Sequence, residues 1–150
     1  MTERRSFAGI IAICTATLLI VTAACSADRT REPVDCAIQA GPCVRMTGSG
    51  TEVIFDIQPR PVKAMAELIF AVTVSKDGRP VSGAKVALDL TMPGMHMGEN
   101  RPRLSPGKGG RYAGKGVIVR CPSGRKVWKA QITVTSKHDD ETASFLFEVI

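Results

Sequence analysis

The chain has 150 residues, with 20 basic and 14 acidic side chains for a formal charge of +6, and five cysteines. That length holds one domain with a real core but not two. The lysines and arginines are scattered through strand-like runs and turns, which argues against the clustered basic patch of a nucleic-acid binder.

Arg4 and Arg5 precede an apolar run that ends in Ala23 and Ala24, directly before Cys25. A charged start, a short apolar core and a small-residue cleavage site read as an export signal over residues 1–24. The end of the segment resembles a bacterial lipobox, with Thr22 where Leu, Val or Ile is usual. That resemblance implies that Cys25 is acylated and becomes the new N-terminus. The expected location is then the bacterial cell envelope, lipid-anchored and facing the periplasm or the cell surface. An ordinary secretory signal and a retained anchor helix are the alternatives, since the run is near the lower limit of about 17 residues for a span. Loss of residues 1–24 removes two basic and one acidic side chain and leaves +5. Export argues against nucleic acid as the partner. Attraction to an anionic membrane surface accounts for the charge, as does a solvated surface without a partner.

Cys14 leaves with the signal, so Cys36, Cys43 and Cys121 remain beside Cys25. In an oxidising compartment two of these pair and one is left over. Residues 25–50 are rich in Ser, Ala, Asp, Arg, Gly and Pro without periodicity, and read as a tether leading into a loop with Cys36 and Cys43. Residues 51–150 read as β. Strand-like runs cover 51–57, 67–75, 84–90, a short poor stretch near 100–105, 110–119, 126–135 and 142–150. About seven strands with turns at this spacing predict an antiparallel β-sandwich. Alternation places Phe70, Val72, Val74, Val86, Leu88, Leu90, Val117, Trp128, Ile132, Val134, Phe145 and Phe147 inward. Asp139, Asp140 and Glu141 read as a solvated turn rather than a Ca²⁺ site.

Counting strands alternately up and down puts the loop at 59–61, the loop at 92–97 and the Cys121 loop at one end. His138 falls at the other end, together with Cys36 and Cys43, which precede the first strand of that count. The count brings Cys121 near the methionines and favours a Cys36–Cys43 disulfide, with Gly41 and Pro42 supplying the turn. Pairing of Cys121 with either of the two is the alternative.

Residues 91–98, Thr-Met-Pro-Gly-Met-His-Met-Gly, hold three of the six methionines and one of the two histidines. Pro93 and Gly94 break the preceding strand, so Met92, Met95, His96 and Met97 lie on a connection. Thioether and imidazole are donors that suit Cu(I), and Cys121 is a candidate further ligand. Two other readings stand beside metal binding. Methionine fills irregular gaps and would cap the open end of a sandwich, and exposed methionines also make adaptable contact surfaces. Cys121 with His96 lacks a third orienting residue for nucleophilic catalysis, so no enzyme is expected, although Arg120 and Arg125 are placed to lower the thiol pKa.

A strand followed by Gly-Arg-Pro-Val-Ser-Gly-Ala-Lys-Val, then Met92-Pro-Gly-Met95-x-Met97-Gly98, then Gly110-Arg-Tyr112 and a strand bearing Trp128, resembles the YtkA-like and FixH-like extracytoplasmic domains over roughly residues 65–150. The resemblance implies an immunoglobulin-like β-sandwich in an accessory role, often linked to membrane, cytochrome oxidase or copper-handling systems. Residues 120–125, Arg-Cys-Pro-Ser-Gly-Arg, depart from that pattern, so Cys121 is read from this chain alone. The expectation is a membrane-anchored accessory or binding domain, with soft-metal handling through the Met/His loop and transfer to a membrane partner. The alternative is an envelope interaction protein that binds no metal.

Overall fold

The computed structural model describes residues 33–96, 98–137 and 139–150. Among these residues nine strands form: β1 (Cys43–Met46), β2 (Thr51–Gln58), β3 (Glu67–Lys76), β4 (Arg79–Pro80), β5 (Lys85–Thr91), β6 (Ser105–Pro106), β7 (Arg111–Val117), β8 (Val127–Thr135) and β9 (Asp140–Glu148). One sheet runs β1-β2-β3-β7-β6, with β4 on β3; the other runs β5-β8-β9. Every pairing is antiparallel. The architecture is the expected two-sheet β-sandwich.

Alternation builds the core. On β2, Thr51, Val53, Phe55 and Ile57 are buried in turn, and on β9, Ala143, Phe145 and Phe147 answer them from the facing sheet. The rings of Phe145 and Phe147 lie 5.5 and 5.8 Å from that of Phe55. Trp128 is fully buried on β8, as its strand phase requires. All the residues expected inside are buried except Val117, which is 40% exposed. On β7 the inward phase runs through Tyr112, Gly114 and Gly116 to Ile118, so Val117 points out with Lys115. Two of those inward positions carry no side chain, which hides the phase in the sequence. Their space is used: a Cβ on Gly114 would stand 1.9 Å from the Arg103 carbonyl oxygen, and one on Gly116 would meet Pro102 at 3.1 Å. Residues 102–104 therefore tuck in beside β7, and only Ser105–Pro106 of the expected poor strand pairs with it.

The segment expected as tether and loop joins the sandwich from residue 35 onward. The amides of Asp35 and Cys36 donate to the Leu146 carbonyl, and the Asp35 carboxylate accepts from the Leu146 amide. Cys36 and Ile38 are buried in the core, and β1 pairs with β2. The expected Cys36–Cys43 disulfide is present. Its position differs from the strand count. Because β1 is an additional strand antiparallel to β2, Cys43 and the residues before it lie toward the end where β2 finishes. There Arg60 donates to the Ile38 carbonyl at 2.7 Å, and Gln39 bridges to Val62 and Glu148.

Candidate functional site

Three connections meet at one end of the sandwich: β2 to β3, β5 to β6, and β7 to β8. Two of them are tight turns with evident local causes. After Met92, Pro93 supplies its fixed φ and Gly94 takes φ 70°, and the Met95 amide donates to the Met92 carbonyl at 3.1 Å. This is the proline-then-glycine pattern that favours a type II turn. After Cys121, Pro122 again opens a turn, and the Gly124 amide donates to the Cys121 carbonyl at 3.0 Å, with Gly124 at φ 76°. The two turns lie against each other, for a Cβ on Gly94 would stand 3.5 Å from the Arg125 guanidinium.

This contact brings sulfur to sulfur. Cys121 Sγ donates to Met95 Sδ at 3.5 Å, and Ser123 Oγ lies 2.9 Å from the thiol and 3.6 Å from the same thioether. Cys121 is a buried free thiol. The Ser123 hydroxyl is the main cause that holds its pKa below the ordinary value. Burial works in the opposite direction, and backbone hydrogen bonds at Ser123 and Arg125 and the Arg125 charge add to the lowering. A cysteine sulfur beside a thioether is a pair of soft donors, suited to Cu(I) rather than to hard cations.

The other candidate ligands are placed differently. Met92 is 2% exposed and belongs to the hydrophobic core. His96 is exposed on the turn. Met97, like Cys25 and His138, lies outside the described residues. Among the described residues no group of three His, Cys, Asp or Glu could hold a metal ion, so any site at this end rests on sulfur from methionine. Of the two arginines expected to act on Cys121, Arg125 does so. Ser123 was missed in the sequence, although a hydroxyl two residues after the cysteine in a Pro-containing turn was its signal.

Next to the turns a pocket of about 340 Å³ opens over Trp128. Ala64, Val119, Val149 and Ile150 form its apolar walls; Cys121, Arg120, Arg125 and Lys126 complete the lining. Backbone bonds tie the segments beside it together, from the Ala64 amide to the Ile150 carbonyl and from the Met65 amide to the Ile118 carbonyl.

At the opposite end Glu141 is not solvated. Its side chain is 13% exposed. It accepts hydrogen bonds from the Thr47 and Ser49 hydroxyls and from Thr51 Oγ1 at 2.9 Å, and Lys76 Nζ lies 3.7 Å away. Burial pushes its pKa up, but the three hydroxyl donors and Lys76 outweigh that and leave it below the ordinary carboxylate value. The cluster ties the β1–β2 hairpin to β9 and is a structural lock.

The fold is a two-sheet sandwich with a thiol–thioether turn pair and a pocket with apolar and basic lining at one end. Residues 49–120 match the family model described as YtkA-like, and the chain carries a YtkA-like domain. The match begins earlier than the resemblance read from the sequence and stops one residue before Cys121. YtkA-like domains are extracytoplasmic, and a disulfide accords with an oxidising compartment. No curated protein and no solved structure matches the chain. No helix among the described residues is long and apolar enough to cross a membrane.

Proposed function

We propose that this protein is a non-enzymatic accessory domain of the bacterial envelope, lipid-anchored through Cys25, that takes up a soft metal ion at the Cys121–Met95 end and passes it to a membrane partner. The observation that carries the reading is the 3.5 Å approach of Cys121 Sγ to Met95 Sδ beside a hydroxyl that lowers the thiol pKa. Two soft donors on adjoining turns offer Cu(I) a low-coordinate site, and the exposed His96 on the same turn is positioned by sequence to add a third. Met92 is withdrawn from the ligand set, because its side chain is part of the core.

A second reading is favoured by that same burial. If methionines serve as core and contact residues, the end of the sandwich is a contact surface that binds no metal. The separating experiment is a Cu(I) competition titration of the full chain beside Cys121→Ser, Met95→Ala and His96→Ala. A one-to-one site that disappears in Cys121→Ser and weakens in Met95→Ala supports metal binding. Equally poor competition by wild type and variants excludes it. Cys25→Ser tests the anchor: release of the protein from the membrane fraction is expected, and unchanged retention points to an uncleaved helix.

A further inference from the structure

We propose that the pocket end of the sandwich docks onto an anionic phospholipid bilayer, acyl chains entering over Trp128 and headgroup phosphates meeting Arg120, Arg125 and Lys126. This goes beyond the metal reading and does not rest on it. The pocket is largely apolar, lined by Ala64, Val119, Val149 and Ile150 together with Trp128, which is otherwise buried in the core. Around it the apolar surface continues outward: Met65 is 64% exposed, Ile150 57% and Val119 39%. These three are neighbours through the backbone bonds from Ala64 to Ile150 and from Met65 to Ile118. Met65 is held at φ 64°, a conformation L side chains rarely adopt, and it presents a long apolar side chain to solvent there.

The charged side chains that line the pocket are of one sign. Arg120, Arg125 and Lys126 line it and are exposed, and no lining side chain is acidic. None of the three is in an ion pair among the described residues. Five cations elsewhere on the surface, Arg45, Arg60, Lys76, Arg101 and Lys115, each face a carboxylate, whereas others such as Lys63 and Arg79 face none among the described residues, so it is the grouping of three cations around an apolar pocket that sets this end apart. An apolar centre ringed by unpaired cations matches the layering of a bilayer with anionic headgroups. Apolar insertion and cation attraction are the two terms that hold proteins at that interface. Phosphate accepts the forked N–H donors of arginine well.

Trp128 is the chain's single tryptophan, so its fluorescence reports on this pocket alone. The full chain is mixed with vesicles whose acyl chains are brominated, made of phosphatidylcholine alone or with phosphatidylglycerol. Quenching of Trp128 is expected with phosphatidylglycerol and little with phosphatidylcholine, even where the N-terminus anchors the protein to both. Changing Arg120, Arg125 and Lys126 together to Gln is expected to reduce the quenching to the phosphatidylcholine level, with the near-UV circular dichroism of Trp128 unchanged. Met65→Asn, which suits positive φ, is expected to keep the fold and weaken the quenching. Absence of quenching in anionic vesicles overturns the proposal and leaves a protein partner as occupant. Equal quenching by both lipids, or by wild type and the triple variant, overturns the assignment to the three cations. Undiminished quenching in Met65→Asn overturns the part given to the apolar rim.

Discussion

The two ends of the sandwich handle polar groups in opposite ways. At one end Glu141 is closed in by three hydroxyls and Lys76, so its charge is used up within the fold. At the other, Cys121 keeps a weak sulfur partner and one hydroxyl, and three cations beside it pair with no carboxylate among the described residues. A satisfied cluster costs little to bury and adds rigidity. A cluster with donors and charges to spare is open to a ligand. The difference is the reason the proposed function is placed at the Cys121 end, while the Glu141 end serves stability.

The largest test of this contrast falls on the ring that backs the open end. Trp128→Ala is expected to cost about 3–5 kcal/mol in urea unfolding followed by far-UV circular dichroism, as for a large aromatic lost from a core. A loss below about 1 kcal/mol would mean that the ring is not part of the core. Next comes the N-terminal strap. Its disulfide spans a sequence separation of 7, so changing Cys36 and Cys43 together to Ala should cost somewhat less than the roughly 3 kcal/mol of a 15-residue loop. Non-reducing peptide mapping should show this pair alone.

Glu141→Ala is expected to cost about 2 kcal/mol, the scale of hydrogen bonds to a charged group. The pH dependence has a definite sign. The carboxyl pKa is lower in the folded state than the ordinary 4.5. Its stabilisation is therefore complete above that value and is lost as pH falls through the folded pKa. Wild type should lose stability across that acid window more steeply than Glu141→Gln, measured by thermal melts. Parallel curves would remove Glu141 from its role as the lock.

The smallest effect on stability, and the sharpest on chemistry, is expected from Ser123→Ala. Its hydroxyl is the main cause of the lowered Cys121 pKa. The pH midpoint for alkylation of Cys121 should rise in the variant, while the unfolding free energy changes by less than about 0.5 kcal/mol, as for a surface substitution. An unmoved alkylation midpoint would assign the lowering to Arg125 instead, and Arg125→Gln would then shift it.

The strands from residue 51 onward were legible in the sequence because a half-buried strand writes its phase as alternation. Val53, Phe55 and Ile57 or Ile132 and Val134 show it without ambiguity. The phase fails to show where the inward residue has no side chain, at Gly114 and Gly116, and there Val117 was placed on the wrong face. β1 was invisible for a related reason. Val44 and Met46 alternate outward on an edge strand, and the Gly-rich surroundings read as tether. The neighbourhood of Cys121 and the methionines followed from counting strands, while the position of the disulfide did not, since β1 was absent from the count.

By itself the sequence determined the β class and the Pro-Gly break after Met92, and it favoured the pairing of Cys36 with Cys43 over a pairing with Cys121. All of these depend on residues close together in the chain, through alternation, fixed φ or a short loop. Only the tertiary structure decided that Met95 rather than Met92 meets Cys121, that Ser123 holds the thiol, and that Glu141 is enclosed rather than solvated. Those outcomes depend on which turns are brought side by side when two sheets close on one core. Glu141 and its hydroxyl donors are about 90 residues apart in sequence, a separation across which local pattern carries no information.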